Sequence, residues 1–359
     1  MTARTIGIIG GGQLGRMLAI AAARLNFRTI IVEPQADCPA AQLANRQITA
    51  AYDDPAALAE LADICDVVTY EFENVPVAAA ERLSANVSVF PPPKALEAAQ
   101  DRLVEKRFLN DCGISTARFH AIDSQAGLET ALEDFGGQGV LKTRRLGYDG
   151  KGQKVFRSAA ADSPDGAYAA LGGVPLILES FIAFEREVSI IAARATDGTV
   201  VCFDPAENVH RDGILHTSTV PAAISASTAD AACQSAEKIL AALNYVGVIG
   251  IEFFVLADGG LIANEMAPRV HNSGHWTEAA CVVSQFEQHI RAVAGLPLGS
   301  AERHSDCIMQ NLIGDDILAV PDWLRRPDTL VHLYGKTEWR PGRKMGHVTT
   351  LTPKSPVLA

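Results

Sequence analysis

GVIGIEFFVLADGGLIANEMAP, residues 247–268, reads as two strands joined at Ala257-Asp258-Gly259-Gly260. Asp-Gly and Gly-Gly between apolar runs are strong hairpin signals. A symmetric loop centred on 258–259, of two residues or of four, sets Glu252 directly across from Glu265 on one face. Like charges opposed in this way destabilise a sheet, and a divalent cation shared by both carboxylates is the simplest compensation. Magnesium takes carboxylate and phosphate oxygens and keeps some water; Asn264 offers an amide oxygen beside the pair. Two solvent-facing glutamates on an amphipathic hairpin are the competing reading, which the flanking Ile251, Phe253, Ile262 and Met266 also suit. The pair alone does not choose between the two.

The rest of the chain narrows the choice. Its 359 residues imply two or three domains, and 48% hydrophobic with 20% charged residues is ordinary for a globular protein. A net charge of −11 with no basic stripe argues against a nucleic-acid partner. No apolar run approaches the ~18 residues of a membrane span. The seven cysteines are scattered and form no CxxC, so neither a disulfide framework nor a zinc site is expected. The N-terminus runs straight into strand-like sequence without a signal-peptide pattern, and a reducing cytoplasmic location is expected. Basic residues gather near 142–154 and 336–344, as anion sites or as solvated surface.

TIGIIG (5–10), glycines, the helix LGRMLAIAAARLNF and the strand RTIIVEP form a β-turn-α-β opening that favours a parallel sheet. The alternation runs to Pro91–Pro93, where a ladder cannot continue. A charged helix over 97–111, shorter strands, a helix near 229–243, the acidic hairpin and a helix near 277–294 follow. From about Leu298 the chain is mixed. The expected domains are 1–95, 96–297 with a smaller unit about 118–182, and 298–359, combining α/β and α+β character.

Gly10, Gly12 and Gly15 fit GxGxxG, and Glu33 ends the next strand, where a dinucleotide fingerprint has its ribose-binding acid. Glycines admit a ligand to the backbone and a helix N-terminus favours an anion, but neither fact specifies a nicotinamide. A phosphorylated substrate, or a tight turn with no ligand, fits the same residues. In the middle of the chain Lys142 ends the strand GVLK, and Gly147-Tyr148-Asp149-Gly150-Lys151-Gly152-Gln153 follows. A glycine-rich loop between strands can fold its amides over phosphates; this one is no Walker A loop, because Gly-Lys-Ser/Thr and a following helix are missing. Glu179-Ser180-Phe181-Ile182 ends an apolar strand, where backbone groups can meet a purine edge, and Glu187 could hold ribose hydroxyls. Just past the acidic strand come Arg269, His271, Asn272, Ser273 and His275; a guanidinium there suits a small planar anion. Lys336, Arg340, Arg343 and Lys344 surround glycines near the end and suit a phosphate.

Together these segments resemble the ATP-grasp superfamily and, within it, the N5-carboxyaminoimidazole ribonucleotide synthases. IGIIGGGQLGRM (6–17), TYEFENV (69–75), KTRRLGYDGKGQ (142–153), ENVHRDGI (207–214), NEMAPRVHNSGHW (264–276), YGK (334–336) and RPGRKMGHV (340–348) carry the resemblance. Val270 departs from it, where proline is expected. The resemblance implies a Rossmann-like pre-ATP-grasp sheet, an ATP-grasp domain in two α+β units and a small C-terminal unit, in a homodimer. It implies ATP-dependent carboxylation of 5-aminoimidazole ribonucleotide by bicarbonate through carboxyphosphate, with ADP and phosphate released. Arg102, Lys142, Gly147–Gln153, Glu179–Ile182, Glu187, His210, Asn264 and Glu265 would meet ATP, and Glu252 and Glu265 would carry magnesium or manganese. Arg269 and His271, with Asn272 beside them, would hold bicarbonate. Gln13, Leu14, Glu73, Lys336, Arg343 and Lys344 would surround the aminoimidazole nucleotide. Tyr148 or Asp149 would position the amine or move its proton, on a loop acting as a lid. A ligase using formate or an amino acid, and an NAD-dependent oxidoreductase, are the alternatives.

Overall fold

Seventeen strands fall into three sheets among residues 4–147, 152–158 and 162–355, the part of the chain that the computed structural model describes. The first sheet holds β1 (Thr5–Ile9), β2 (Arg28–Val32), β3 (Arg46–Ile48) and β4 (Val67–Tyr70), all parallel, in the order β3-β2-β1-β4. Its central strands are near-continuous apolar runs, as a sheet covered on both faces requires. The helix Gln13–Arg24 buries Met17, Leu18, Ala21 and Ala22 against it. The second sheet is small and antiparallel: β5 (Phe119–Ile122), β6 (Gly139–Thr143), β7 (Gln153–Phe156) and β8 (Leu176–Glu179), in the order β5-β8-β6-β7.

The third sheet has nine strands: β9 (Arg186–Arg194), β10 (Val200–Cys202), β11 (Ala206–Arg211), β12 (Ile214–Val220), β13 (Gly247–Val255), β14 (Leu261–Ala267), β15 (Ser305–Ile313), β16 (Thr329–Leu333) and β17 (Lys344–Pro353). Its order is β14-β13-β9-β11-β12-β15-β17-β16, with β10 against β9. The last three strands therefore do not build a sheet of their own; β15 pairs with β12, Thr217 opposite Gln310, and prolongs the sheet that carries the acidic hairpin. The helix Gln285–Val293 joins this sheet to the first one. Its buried His289 bonds Thr69 on β4 (2.7 Å) and accepts from the Val248 amide on β13 (3.1 Å).

Two expected helices are each broken in two. The stretch 97–111 is instead Pro93–Ala99 and Arg102–Asp111. Gln100 turns its amide to the Glu73 and Val75 carbonyls (2.9 and 2.6 Å). Asp101 then caps the second helix at the Leu103 amide and holds Arg144 (2.7 Å). The stretch 277–294 splits into Thr277–Ala280 and Gln285–Val293, where Ser284 caps the Glu287 amide and Thr277 accepts from the Gln285 amide. A third correction concerns the cysteines: Cys202 on β10 is disulfide-bonded to Cys233 on the helix Ala226–Ala242, with Cα atoms 6.1 Å apart. A pairing across 31 residues leaves no short motif to read.

Candidate active site

Glu252 does stand opposite Glu265, although not by the symmetric loop. Val255 pairs with Leu261 and the Leu256 amide reaches the Gly260 carbonyl (2.9 Å), so Ala257–Gly259 make a three-residue turn, between the two expected lengths, with Gly259 at φ +82°. That turn alone would put Glu252 across from Asn264. A bulge takes up Asn264 and restores the Glu252–Glu265 pair. Bulges re-aim side chains, and here the Asn264 amide oxygen is buried with no hydrogen-bond partner among the described residues. Burial, and then the charge of Glu265, push the Glu252 carboxyl up to about 7. Burial opposes the charge on Glu265 as well, but Arg102 at 3.0 Å, with Lys142 and His271, outweighs it and holds that carboxyl at about 2. Two opposed carboxylates and an orphaned amide oxygen form an oxygen donor set that fits a hard divalent cation.

Beneath the pair, the small sheet is tied to the large one by buried ions. Glu179, at the end of β8, accepts from Lys142 on β6 (3.1 Å) and lies 3.3 Å from the Lys106 ammonium. These two cations hold Glu179 at about 2 against the effect of burial. Lys106 is itself buried and also donates to the Asn264 carbonyl (2.8 Å). Thus one lysine fixes both the bulge of β14 and, through Glu179, the position of Lys142. Arg102 and Lys106 lie four apart on one helix face; reading charges as well as apolar residues at helical spacing would have found this partner. Glu105 on the same helix accepts from the Met266 amide (2.6 Å). On β9 and β11, Glu187 and His210 form a 2.8 Å pair. Burial lowers the proton affinity of His210, but Glu187 and Glu252 outweigh it and raise its pKa.

Past the acidic strand, Arg269 pairs with Glu73 (2.5 Å) and so bridges the large sheet to the loop after β4. His271 packs over Gly250, where a Cβ would come within 2.6 Å of the His271 Cβ. Gln285 fixes its backbone twice, accepting from the His271 amide (2.9 Å) and donating to its carbonyl (2.7 Å). Burial, then the charge of Arg269, push the His271 imidazole down to about 3, so it is neutral near pH 7. Its Nδ1 meets Ser273 (2.8 Å) and its Nε2 lies 3.8 Å from Glu252.

The glycine turn holds an internal anion. The buried Glu71 carboxylate accepts from the Gly12 amide and, at 2.5 Å, from the Gly15 amide. Glu33 is likewise spent, accepting from Gly11 (2.9 Å) and Tyr52 (2.6 Å). The dinucleotide reading fails here, because the slot for a pyrophosphate and the acid for a ribose are both occupied by the protein itself. What the turn presents instead is Gln13, which accepts from Lys336 (2.7 Å); Lys336 also reaches the Lys344 carbonyl (2.6 Å).

Most of the expected site residues line one cleft of about 590 Å³. Gln13, Leu14, Glu73, Arg102, Lys142, Gly147, Gly152, Gln153, Glu187, His210, Glu252, Asn264, Glu265, Arg269, His271, Asn272 and Lys344 all face it. Glu179 lies beneath the floor. Ser180, Phe181, Ile182, Lys336 and Arg343 are not in the lining, and Arg343 donates to the Glu338 carbonyl (2.9 Å). Tyr148, Asp149, Gly150 and Lys151 lie outside the described residues. Sequence reading missed the apolar side of the cleft, where Phe184 and Phe254 stack at 4.5 Å beside Val140 and Val155. It also missed Arg144.

Three family models match the chain. An ATP-grasp domain covers residues 107–286, a ribonucleotide synthetase preATP-grasp domain covers 3–100, and a phosphoribosylaminoimidazole carboxylase C-terminal domain covers 307–358. The N5-carboxyaminoimidazole ribonucleotide synthase of Brucella melitensis is 65% identical over 98% of this chain and 97% of its own length. A crystal structure of an N5-carboxyaminoimidazole ribonucleotide synthetase with ADP superposes at a TM-score of 0.94, with 41% identity over 98% of this chain and 94% of that one. The Aspergillus clavatus enzyme, in complex with ADP and 5-aminoimidazole ribonucleotide, superposes at 0.90, with 33% identity over 98% and 94%.

Proposed function

Because the chain belongs to the N5-carboxyaminoimidazole ribonucleotide synthase family of ATP-grasp ligases, we propose that its cleft carries out the family reaction with the groups assembled there. The protein is an ATP-dependent carbon–nitrogen ligase that carboxylates 5-aminoimidazole ribonucleotide in purine biosynthesis. The observation that carries the site assignment is the facing pair Glu252 and Glu265, with the buried, unpartnered oxygen of Asn264 beside it. Those residues would hold magnesium, or manganese in its place, and the ion would offset negative charge on the ATP phosphates when bound.

The chain's own groups supply the rest. Adenine fits the side lined by Val140, Val155, Phe184 and Phe254, and Glu187 suits the ribose hydroxyls. Lys142 and Arg102 offset charge on the phosphates, since catalysis of phosphoryl transfer is mainly positioning and electrostatics. Arg269, held by Glu73, and neutral His271 orient bicarbonate as its oxygen attacks the γ-phosphorus and ADP leaves. The resulting carboxyphosphate, or carbon dioxide from it, is attacked at carbon by the acceptor amine; phosphate leaves and the nitrogen gives up a proton. Gln13, Glu73 and Lys344 border the space left for the aminoimidazole nucleotide. The glycine loop's Tyr148 and Asp149 are proposed to place that amine, on the resemblance alone. Domain limits near 95 and 297, a homodimer and a cytoplasmic location are proposed on the same ground; among the described residues no helix is long and apolar enough to cross a membrane.

A coupled ADP-release assay tests the reading. Release should require both bicarbonate and 5-aminoimidazole ribonucleotide, and Glu265→Gln should lower it by roughly 10²–10³-fold or more with an unchanged circular dichroism spectrum. Equal turnover with formate or glycine and another acceptor would overturn the substrate assignment. Near-parental activity of Glu265→Gln at saturating magnesium would overturn the metal role.

A further inference from the structure

Outside the cleft, three side chains converge where the C-terminal strands meet the segment after His271. Glu278 lies on the short helix Thr277–Ala280, and His332 on β16 is the register partner of His347 on β17. One ligand atom from each falls within 4.8 Å of the others. Glu278 Oε2 is 3.0 Å from His332 Nδ1 and 3.5 Å from His347 Nε2. That Nε2 is buried and has no hydrogen bond of good geometry among the described residues. The other ring nitrogen of His347 meets the Tyr334 hydroxyl at 2.9 Å. None of the three lines the cleft.

We propose that Glu278, His332 and His347 form a binding site for a divalent transition-metal ion of the zinc class, separate from the magnesium site. Tetrahedral bonds of 2.0–2.2 Å set neighbouring ligand atoms roughly 3.3–3.6 Å apart; the 3.5 Å from Glu278 to His347 Nε2 suits this, and the 3.0 Å to His332 is short of it by a few tenths of an ångström. The two rings stack with centres 5.3 Å apart and planes 19° from parallel; an ion lies in the plane of each imidazole that binds it, so one ring must turn for both nitrogens to meet it. Tyr334 fixes the ring of His347 as outer partners fix metal-binding histidines. Two nitrogens and one carboxylate favour zinc, nickel or cobalt over magnesium, which takes oxygen. An ion there would pin β16 and β17, and with them Lys344, to the segment that follows His271.

The test uses tag-free full-length protein, stripped with a chelator and kept in excess magnesium so that Glu252 and Glu265 are occupied. Zinc is titrated against a chromophoric chelator, and cobalt is added as a spectroscopic probe. One equivalent of zinc should bind and cobalt should give a visible d–d band. His332→Asn and Glu278→Gln should each weaken uptake by roughly tenfold or more and remove the band. Absence of stoichiometric uptake, or equal uptake by the parent and both variants, would show that the cluster is only hydrogen-bonded. Should either variant unfold, modification of His332 by diethyl pyrocarbonate in the unmutated chain decides the matter. Zinc should slow it at least tenfold, and an unchanged rate overturns the site.

Discussion

Metal affinity at the acidic hairpin should depend on pH, because a proton and a cation compete for Glu252. Its carboxyl sits at about 7 while Glu265 is held at about 2. Deprotonation frees the second ligand, so affinity rises with pH and levels off above the Glu252 value. With a single site titrating at about 7, apparent affinity should fall about tenfold from pH 8 to pH 6, most of it below pH 7. About half a proton should be released per ion bound near pH 7. Free manganese, followed by electron paramagnetic resonance during a titration, reports the affinity at each pH, and calorimetry in buffers of different ionisation enthalpy reports the proton. Glu265→Gln makes the reasoning sharper. It removes one ligand, which weakens binding at every pH. It also removes the charge that raises Glu252, which moves the midpoint of the pH dependence to the acid side. A flat affinity between pH 6 and 8, or a Glu265→Gln variant with parental affinity and midpoint, would refute the account.

Two further substitutions probe the supports of the site. Lys106→Met leaves the Asn264 carbonyl unpaired and Glu179 with one cation fewer; it should cost about 1–3 kcal/mol in urea unfolding and raise the KM for ATP more than that for bicarbonate, and equal effects on both would contradict its tie to Lys142. Glu71→Ala strands the Gly12 and Gly15 amides and should cost about 2–5 kcal/mol without creating NADH binding; a parental urea midpoint would show that the turn does not depend on its internal carboxylate.

Much of the site was legible because local rules set it. The hairpin signal and side-chain alternation brought Glu252 to Glu265, yet by two departures that cancel: a three-residue turn in place of an even-numbered one, and a bulge at Asn264. Asp101 and Ser284 carry helix-capping side chains inside stretches read as continuous helix, and each marks a break that residue type alone could have shown. Glu71 could not be read this way. Glycine spacing tells where amides are bare, not which anion reaches them, and the carboxylate comes from the end of a strand 56 residues further on. The pairing of β15 with β12 and the Cys202–Cys233 bond are likewise long-range choices, settled by packing rather than by any window of sequence. The family resemblance reached the right chemistry without these details, since its motifs mark the cleft and not its foundations.

The continuity of the nine-stranded sheet bears on how an unstable intermediate survives. Glu252, His210 and Lys344 all belong to that sheet, while Lys142 and the strands flanking the glycine loop belong to the small one. A hinge between the two sheets would alter the grip on the phosphates yet leave the carboxyl-transfer half of the cleft undistorted. The buried Lys106–Glu179 pair ties the two together, so the nucleotide clamp could shift about that tie while the acceptor's berth kept its dimensions, and an activated carboxyl group formed there would have no distance to travel.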